Sequence, residues 1–127
     1  MEIAEYNKLV DEGLSEYAIQ CKVVIHLKSE YPNALFTISP QGMKLPIGVA
    51  KKIKAMGYNK GTPDLIIFES RKSYLGLAIE LKTVKKYHKS DEQIKWIDDL
   101  NNRNYKAVFC CGFEEAKKVI DEYFATK

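Results

Sequence analysis

At 127 residues the chain has the size of one folding unit with a single core, and its 46% hydrophobic and 29% charged residues exclude a disordered or low-complexity chain. The net charge is +3, and the basic residues are almost all lysines. They gather between Lys44 and Lys60 and again between Lys82 and Lys89, which suits a face meeting a polyanion and equally a solvated surface. No apolar run approaches the ~20 residues of a membrane span. The opening Met1-Glu2-Ile3-Ala4-Glu5 lacks the pattern of a signal peptide. Cys21, Cys110 and Cys111 form an odd set without zinc-ligand spacing. The expected location is therefore a reducing compartment, the cytoplasm.

In chain order, the first helix is predicted to start near Ser15 and to stop before Pro32, because the residue preceding a proline avoids helical geometry. Leu14, Tyr17, Ala18, Cys21, Val24 and Ile25 fall at helical spacing and are expected to form its buried stripe. Leu35 to Ile38 reads as a short strand closed by Pro40 and Gly42. Ile47 to Met56 reads as a lysine-rich helix or loop stopped at Gly57. Asp64 to Phe68 and Tyr74 to Thr83 are predicted strands, joined by a polar turn around Arg71 and Lys72.

Ser90 is placed to cap a helix running to about Asn102, with Gln93 at the capping-box position and Trp96, Ile97 and Leu100 on the inward stripe. Ala107 to Cys111 reads as a buried strand with Cys110 and Cys111 on opposite faces. Glu114 to Phe124 reads as an amphipathic helix carrying Ala116, Val119, Ile120, Tyr123 and Phe124 inward. Without a linker or repeat to divide it, the chain is expected to form a single domain over residues 1–127. Its expected class is α/β: a sandwich whose mixed central sheet is flanked by helices.

The chemistry is concentrated in Gly61-Thr62-Pro63-Asp64-Leu65-Ile66-Ile67-Phe68, followed by Leu77-Ala78-Ile79-Glu80-Leu81-Lys82. Alternation along a strand puts Ala78, Glu80 and Lys82 on one face and the larger apolar residues on the other. If that face is solvated, Glu80 and Lys82 form only a weak surface pair and Asp64 ends a turn. If it is covered, two carboxylates stand beside an ammonium, and charges inside a sheet need a partner or a task. Asp64, Glu80 and the backbone carbonyl of Leu81 then offer the oxygen ligands that Mg²⁺ or Mn²⁺ prefers. Lys82 is positioned to orient a water and to stabilise charge on a phosphate undergoing hydrolysis.

Gly61-Thr62-Pro63-Asp64 followed by Glu80-Leu81-Lys82 resembles the signature of the PD-(D/E)XK nucleases. Gly57 ahead of that run, Glu80-Leu81-Lys82-Thr83, Ser90-Asp91-Glu92-Gln93 and a closing helix beginning Glu114-Glu115-Ala116 resemble its VRR-NUC branch. The resemblance spans nearly the whole chain and is weakest before residue 15. It implies a restriction-endonuclease-like fold, phosphodiester hydrolysis dependent on Mg²⁺ or Mn²⁺, and DNA as substrate. Small stand-alone members of this branch, typical of phages, resemble homodimeric Holliday-junction resolvases. The same domain also closes the larger Fanconi-associated nuclease, which cuts flaps.

On that pattern Glu16 matches an extra acidic position within reach of a metal or its water, and Gln93 matches a glutamine beside the site. Read locally, Glu16 is a first-turn glutamate favoured by the helix dipole, and Gln93 is half of a capping box. Lys44, Lys51, Lys52, Lys60, Lys85, Lys86 and Lys89 are the candidates for phosphate contact, with a solvated surface as the alternative. Tyr58 and Tyr87 are candidates for base stacking or rim packing, and His26 has no evident partner. The expected activity is that of a homodimeric, structure-selective DNA endonuclease acting on branched DNA. A monomeric flap or end-processing nuclease, an RNA nuclease and an inert DNA-binding module remain as alternatives.

Overall fold

The computed structural model describes residues 2–3, 5–6, 13–40, 45–85 and 88–127. The expectations attached to Gly42, Lys44, Lys86 and Tyr87 fall outside those residues. From Ser15 onward the described elements are α1 (Glu16–Glu30), β1 (Phe36–Ile38), α2 (Ile47–Ala55), β2 (Leu65–Ile67), β3 (Leu77–Lys82), α3 (Asp91–Asn101), β4 (Lys106–Cys111) and α4 (Gly112–Ala125). This is the order expected from the sequence. The Ser15 hydroxyl accepts from the Ala18 amide and caps α1. Gly57, at φ +112°, follows α2 with the backbone sign that glycine tolerates.

The sheet order is β1-β2-β3-β4. The β1–β2 and β2–β3 pairings are antiparallel and the β3–β4 pairing is parallel. A parallel pair needs a crossover, and α3 supplies it. β3 is buried on both faces along its full length. Leu77, Ile79 and Leu81 enter the main core with Ile19, Val23 and Leu27 of α1 and Ala116, Ile120 and Tyr123 of α4. Ala78 faces the other way, into a smaller cluster with Ala107 and Ile97 against which Leu100 and Phe109 pack. The result is the expected α/β sandwich with helices on both sides of a mixed sheet. Each fully buried Ile or Leu contributes roughly 1.5–3 kcal/mol to holding the layers together.

The inward face of α1 differs from the expected one. Ile19, Val23 and Leu27 are fully buried, whereas Cys21 is exposed and Tyr17 and Ile25 are 79% and 67% exposed. The helix carries two apolar stripes at i, i+4, i+8 spacing, Tyr17-Cys21-Ile25 and Ile19-Val23-Leu27, and periodicity alone does not rank them. Packing against α4 does. His26, which the sequence left without a partner, lies 2.8 Å from Asp121 of α4, and Tyr31 donates to the same carboxylate at 2.7 Å. No helix among the described residues is long and apolar enough to cross a membrane.

Candidate active site

The β2–β3 register runs Ile67–Leu77, Ile66–Ala78 and Leu65–Ile79, so the next opposed pair along the ladder is Asp64 with Glu80. Directly opposed antiparallel residues project to the same face, which brings the two carboxyls together. The ladder itself stops at Leu65. Beyond it, the Leu81 amide, which would otherwise be orphaned on that edge, donates to Asp64 Oδ2 at 2.8 Å. Asp64 thus fixes the edge of β3 with its side chain, and its own carbonyl accepts from the Ser39 amide at the end of β1 at 3.0 Å.

Three charged side chains are buried here: Asp64 is 8% exposed, Glu80 3% and Lys82 5%. The solvated surface pair is thereby excluded. Lys82 Nζ stands 3.9 Å from Glu80 Oε1 and donates to Gln93 Oε1 at 2.8 Å. Gln93 Nε2 donates to Glu80 Oε1 at 2.8 Å. The glutamine side chain therefore ties the carboxyl to the ammonium. Its Oε1 also accepts from the Ser90 amide at 3.1 Å, while the Ser90 hydroxyl accepts from the Gln93 amide, completing the capping box. Gln93 thus forms the capping box and also contacts Glu80 and Lys82.

The loop before Asp64 is pressed against the start of α3. Gly61 has φ +94°, and a Cβ there would lie 2.6 Å from the backbone carbon of Glu92. No other residue type fits that contact without a shift. The sequence shows Gly61 only within the Gly-Thr-Pro-Asp run; its role in seating the Asp64 loop beside Gln93 was not legible, because its partner Glu92 lies far along the chain.

Glu80 Oε2 is buried without a hydrogen-bond donor among the described residues. Burial, followed by the charge of Asp64, pushes the Glu80 carboxyl up to about 9, with Lys82 opposing. Burial also raises Asp64, against the lowering effect of the Leu81 amide. Two ionised carboxylates cannot satisfy each other, so without a counter-charge the pair favours its protonated form. A hard divalent cation resolves the same conflict, and an oxygen set with an unsatisfied buried lone pair fits Mg²⁺ or Mn²⁺.

Among the described residues no three His, Cys, Asp or Glu side chains surround one point. Asp64 and Glu80 are the two buried carboxylates that could offer oxygens to such an ion. Glu16 is exposed at the first turn of α1, and its charge reaches both carboxyls. That placement suits an outer role through water.

The described lysine candidates are exposed and form no ion pair with Asp64 or Glu80 among the described residues. Lys51, Lys52 and Lys85 are exposed, Lys60 lies 3.9 Å from Glu92, and Lys89 stands over the Phe109 ring at 4.5 Å. Tyr58 is half-buried, its hydroxyl 3.5 Å from that of Ser39. Ser39, buried beside Asp64, carried no sequence signal of its own.

Residues 14–114 match the VRR-NUC domain family, a family of PD-(D/E)XK nucleases. A solved structure described as a VRR_NUC domain protein is similar to this chain at a TM-score of 0.75 and 30% identity, covering 90% of this chain and 91% of that one. No curated protein matches the chain.

Proposed function

This chain belongs to the VRR-NUC domain family, and we propose that it is a metal-dependent, structure-selective DNA endonuclease that resolves four-way junctions as a homodimer. The observation that carries the reading is the cluster of buried Asp64, Glu80 and Lys82 tied by half-buried Gln93, with one carboxylate oxygen left without a donor among the described residues. An inert binding module gains nothing from maintaining such a set, because buried charges of this kind destabilise the fold unless they serve a ligand.

Asp64, Glu80 and the Leu81 carbonyl would hold the cation. Bound there, Mg²⁺ or Mn²⁺ would supply neutralisation of the phosphate charge and a more acidic water. Lys82, oriented by Gln93 and unable to swing away, places a fixed positive charge beside the carboxyls. It holds the attacking water by hydrogen bonding and offsets charge on the scissile phosphate as it develops. Gln93 keeps Lys82 and Glu80 at fixed separation, which preorganises the site before substrate arrives. Glu16 lends a second acceptor for water at the rim. The outer lysines Lys51, Lys52, Lys60, Lys85 and Lys89 meet phosphates away from the cut, as would Lys44 and Lys86.

The junction and the dimer rest on symmetry. A four-way junction presents two equivalent strands, and a two-fold dimer presents two equivalent sites to them. The test is cleavage of four-way junctions, flaps, nicked duplex and single strands in parallel with Mg²⁺ or Mn²⁺, together with sedimentation of the purified protein. Paired symmetric cuts in the junction by a dimer are expected. A monomer that cuts only flaps would replace the junction reading with that of a flap nuclease.

A further inference from the structure

A groove of about 510 Å³ lies between the 59–60 loop and one side of α3, with Trp96 and Leu100 among its lining residues. We propose that it binds one unpaired nucleotide of the DNA strand being cut, with the base stacked on Trp96. The polymer's identity rests on the nuclease reading above; the groove and its chemistry do not.

Its position comes first. Lys60, on one wall, is four residues before Asp64, and Trp96, on the other, is one helical turn beyond Gln93. The groove's two walls are thus continuous with the loop that carries Asp64 and the helix that carries Gln93.

The lining chemistry comes second. Trp96 offers a π-face that accepts any base. Lys60, Lys95 and Arg103 stand against two carboxylates, Glu92 and Asp99. Lys95 pairs with Asp99 at 2.6 Å and Lys60 reaches Glu92 only at 3.9 Å. Arg103 donates to the Asp99 backbone carbonyl at 2.9 Å and forms no ion pair of its own among the described residues. Exposed pairs of this kind contribute little and yield readily to phosphate. The volume lies in the range of pockets that enclose a small ligand. An aromatic lining residue beside three cationic ones, on elements that also carry Asp64 and Gln93, fits a single flipped or frayed nucleotide. A fully paired duplex has no free base to place there.

Trp96 is the chain's one tryptophan, so the groove carries its own reporter. The experiment titrates the metal-free protein with duplex DNA bearing a short single-stranded tail, and with the matching blunt duplex, while following tryptophan emission and the anisotropy of labelled DNA. Quenching by tailed but not blunt DNA is expected. Trp96→Ala should weaken binding of tailed DNA roughly 5- to 150-fold, with blunt duplex changed by less than about twofold. Arg103→Ala keeps the reporter and should lower the salt slope of tail binding by about 0.7, which tests the groove even if Trp96→Ala fails to fold.

Tight binding of tailed DNA with unchanged emission, or equal quenching by both DNAs, overturns the groove assignment and leaves the nuclease reading intact. Selective quenching by a protein that cleaves no DNA with Mn²⁺ supports the groove and removes the nuclease reading. Absence of DNA binding overturns both.

Discussion

Without a cation, burial weighs on the charged form of Glu80. Its carboxyl, raised from 4.5 to about 9 first by burial and then by Asp64, keeps a proton in the folded protein that the unfolded chain has released. A carboxyl with a raised folded pKa contributes stability that is fully present below the unfolded value and is lost as pH rises through the folded one. Asp64 shifts in the same direction. The melting temperature of the metal-free protein is therefore expected to fall between pH 5 and pH 9. Glu80→Gln keeps the acceptor for Gln93 and supplies a donor toward Asp64. It should flatten that fall and raise the melting temperature at pH 8.5, by about 4 °C for each kcal/mol regained. An unchanged slope in the variant would locate the pH dependence elsewhere. Gln93 and Ser90 separate capping from site support at the same scale. Ser90→Ala should cost about 1 kcal/mol of stability with little effect on turnover. Gln93→Ala should also lower the cleavage rate by about 10- to 100-fold, and equal rates in the two variants would reduce Gln93 to a cap.

Among the elements, β3 was legible and α1 was only half so. Strand alternation alone separates Ala78, Glu80 and Lys82 from Leu77, Ile79 and Leu81, and the folded sheet keeps Ala78 and the leucines in different clusters. Whether the face of Glu80 and Lys82 is covered was not legible, because α3 covers it and the distance from Glu80 to Gln93 along the chain hides the contact. The existence and cap of α1 could be read from Ser15 and Pro32. Its inward stripe could not, since two apolar stripes compete and the choice is made by α4, some ninety residues on, through its apolar face and Asp121. The Gly61 loop gives the element-scale prediction. Gly61→Ala forces a Cβ toward the α3 backbone at a positive φ and should cost about 1–3 kcal/mol. Chemical denaturation measures that loss, and a neutral substitution would mean the loop and α3 are not in close contact.

For the molecule as a whole, the sheet presents Asp64 and Glu80 at the place where the β2–β3 ladder ends and the crossover helix begins. The outer lysines act at longer range: removing any one of Lys51, Lys52, Lys60, Lys85 or Lys89 that meets phosphate should weaken DNA binding across sequences and reduce the salt slope by about 0.9. A lysine whose loss leaves the slope unchanged belongs to the solvated surface. The most direct test of the site is single-turnover cleavage of a labelled four-way junction by the wild type, Asp64→Asn, Glu80→Gln and Lys82→Ala, with junction binding followed in parallel. Cleavage by the wild type with Mg²⁺ or Mn²⁺ but not with EDTA is predicted, falling by at least about 100-fold in each variant while binding survives. Undiminished cleavage in the variants, or equal cleavage by the wild type in EDTA, would contradict the assignment of Asp64, Glu80 and Lys82 as the centre of a metal-dependent nuclease.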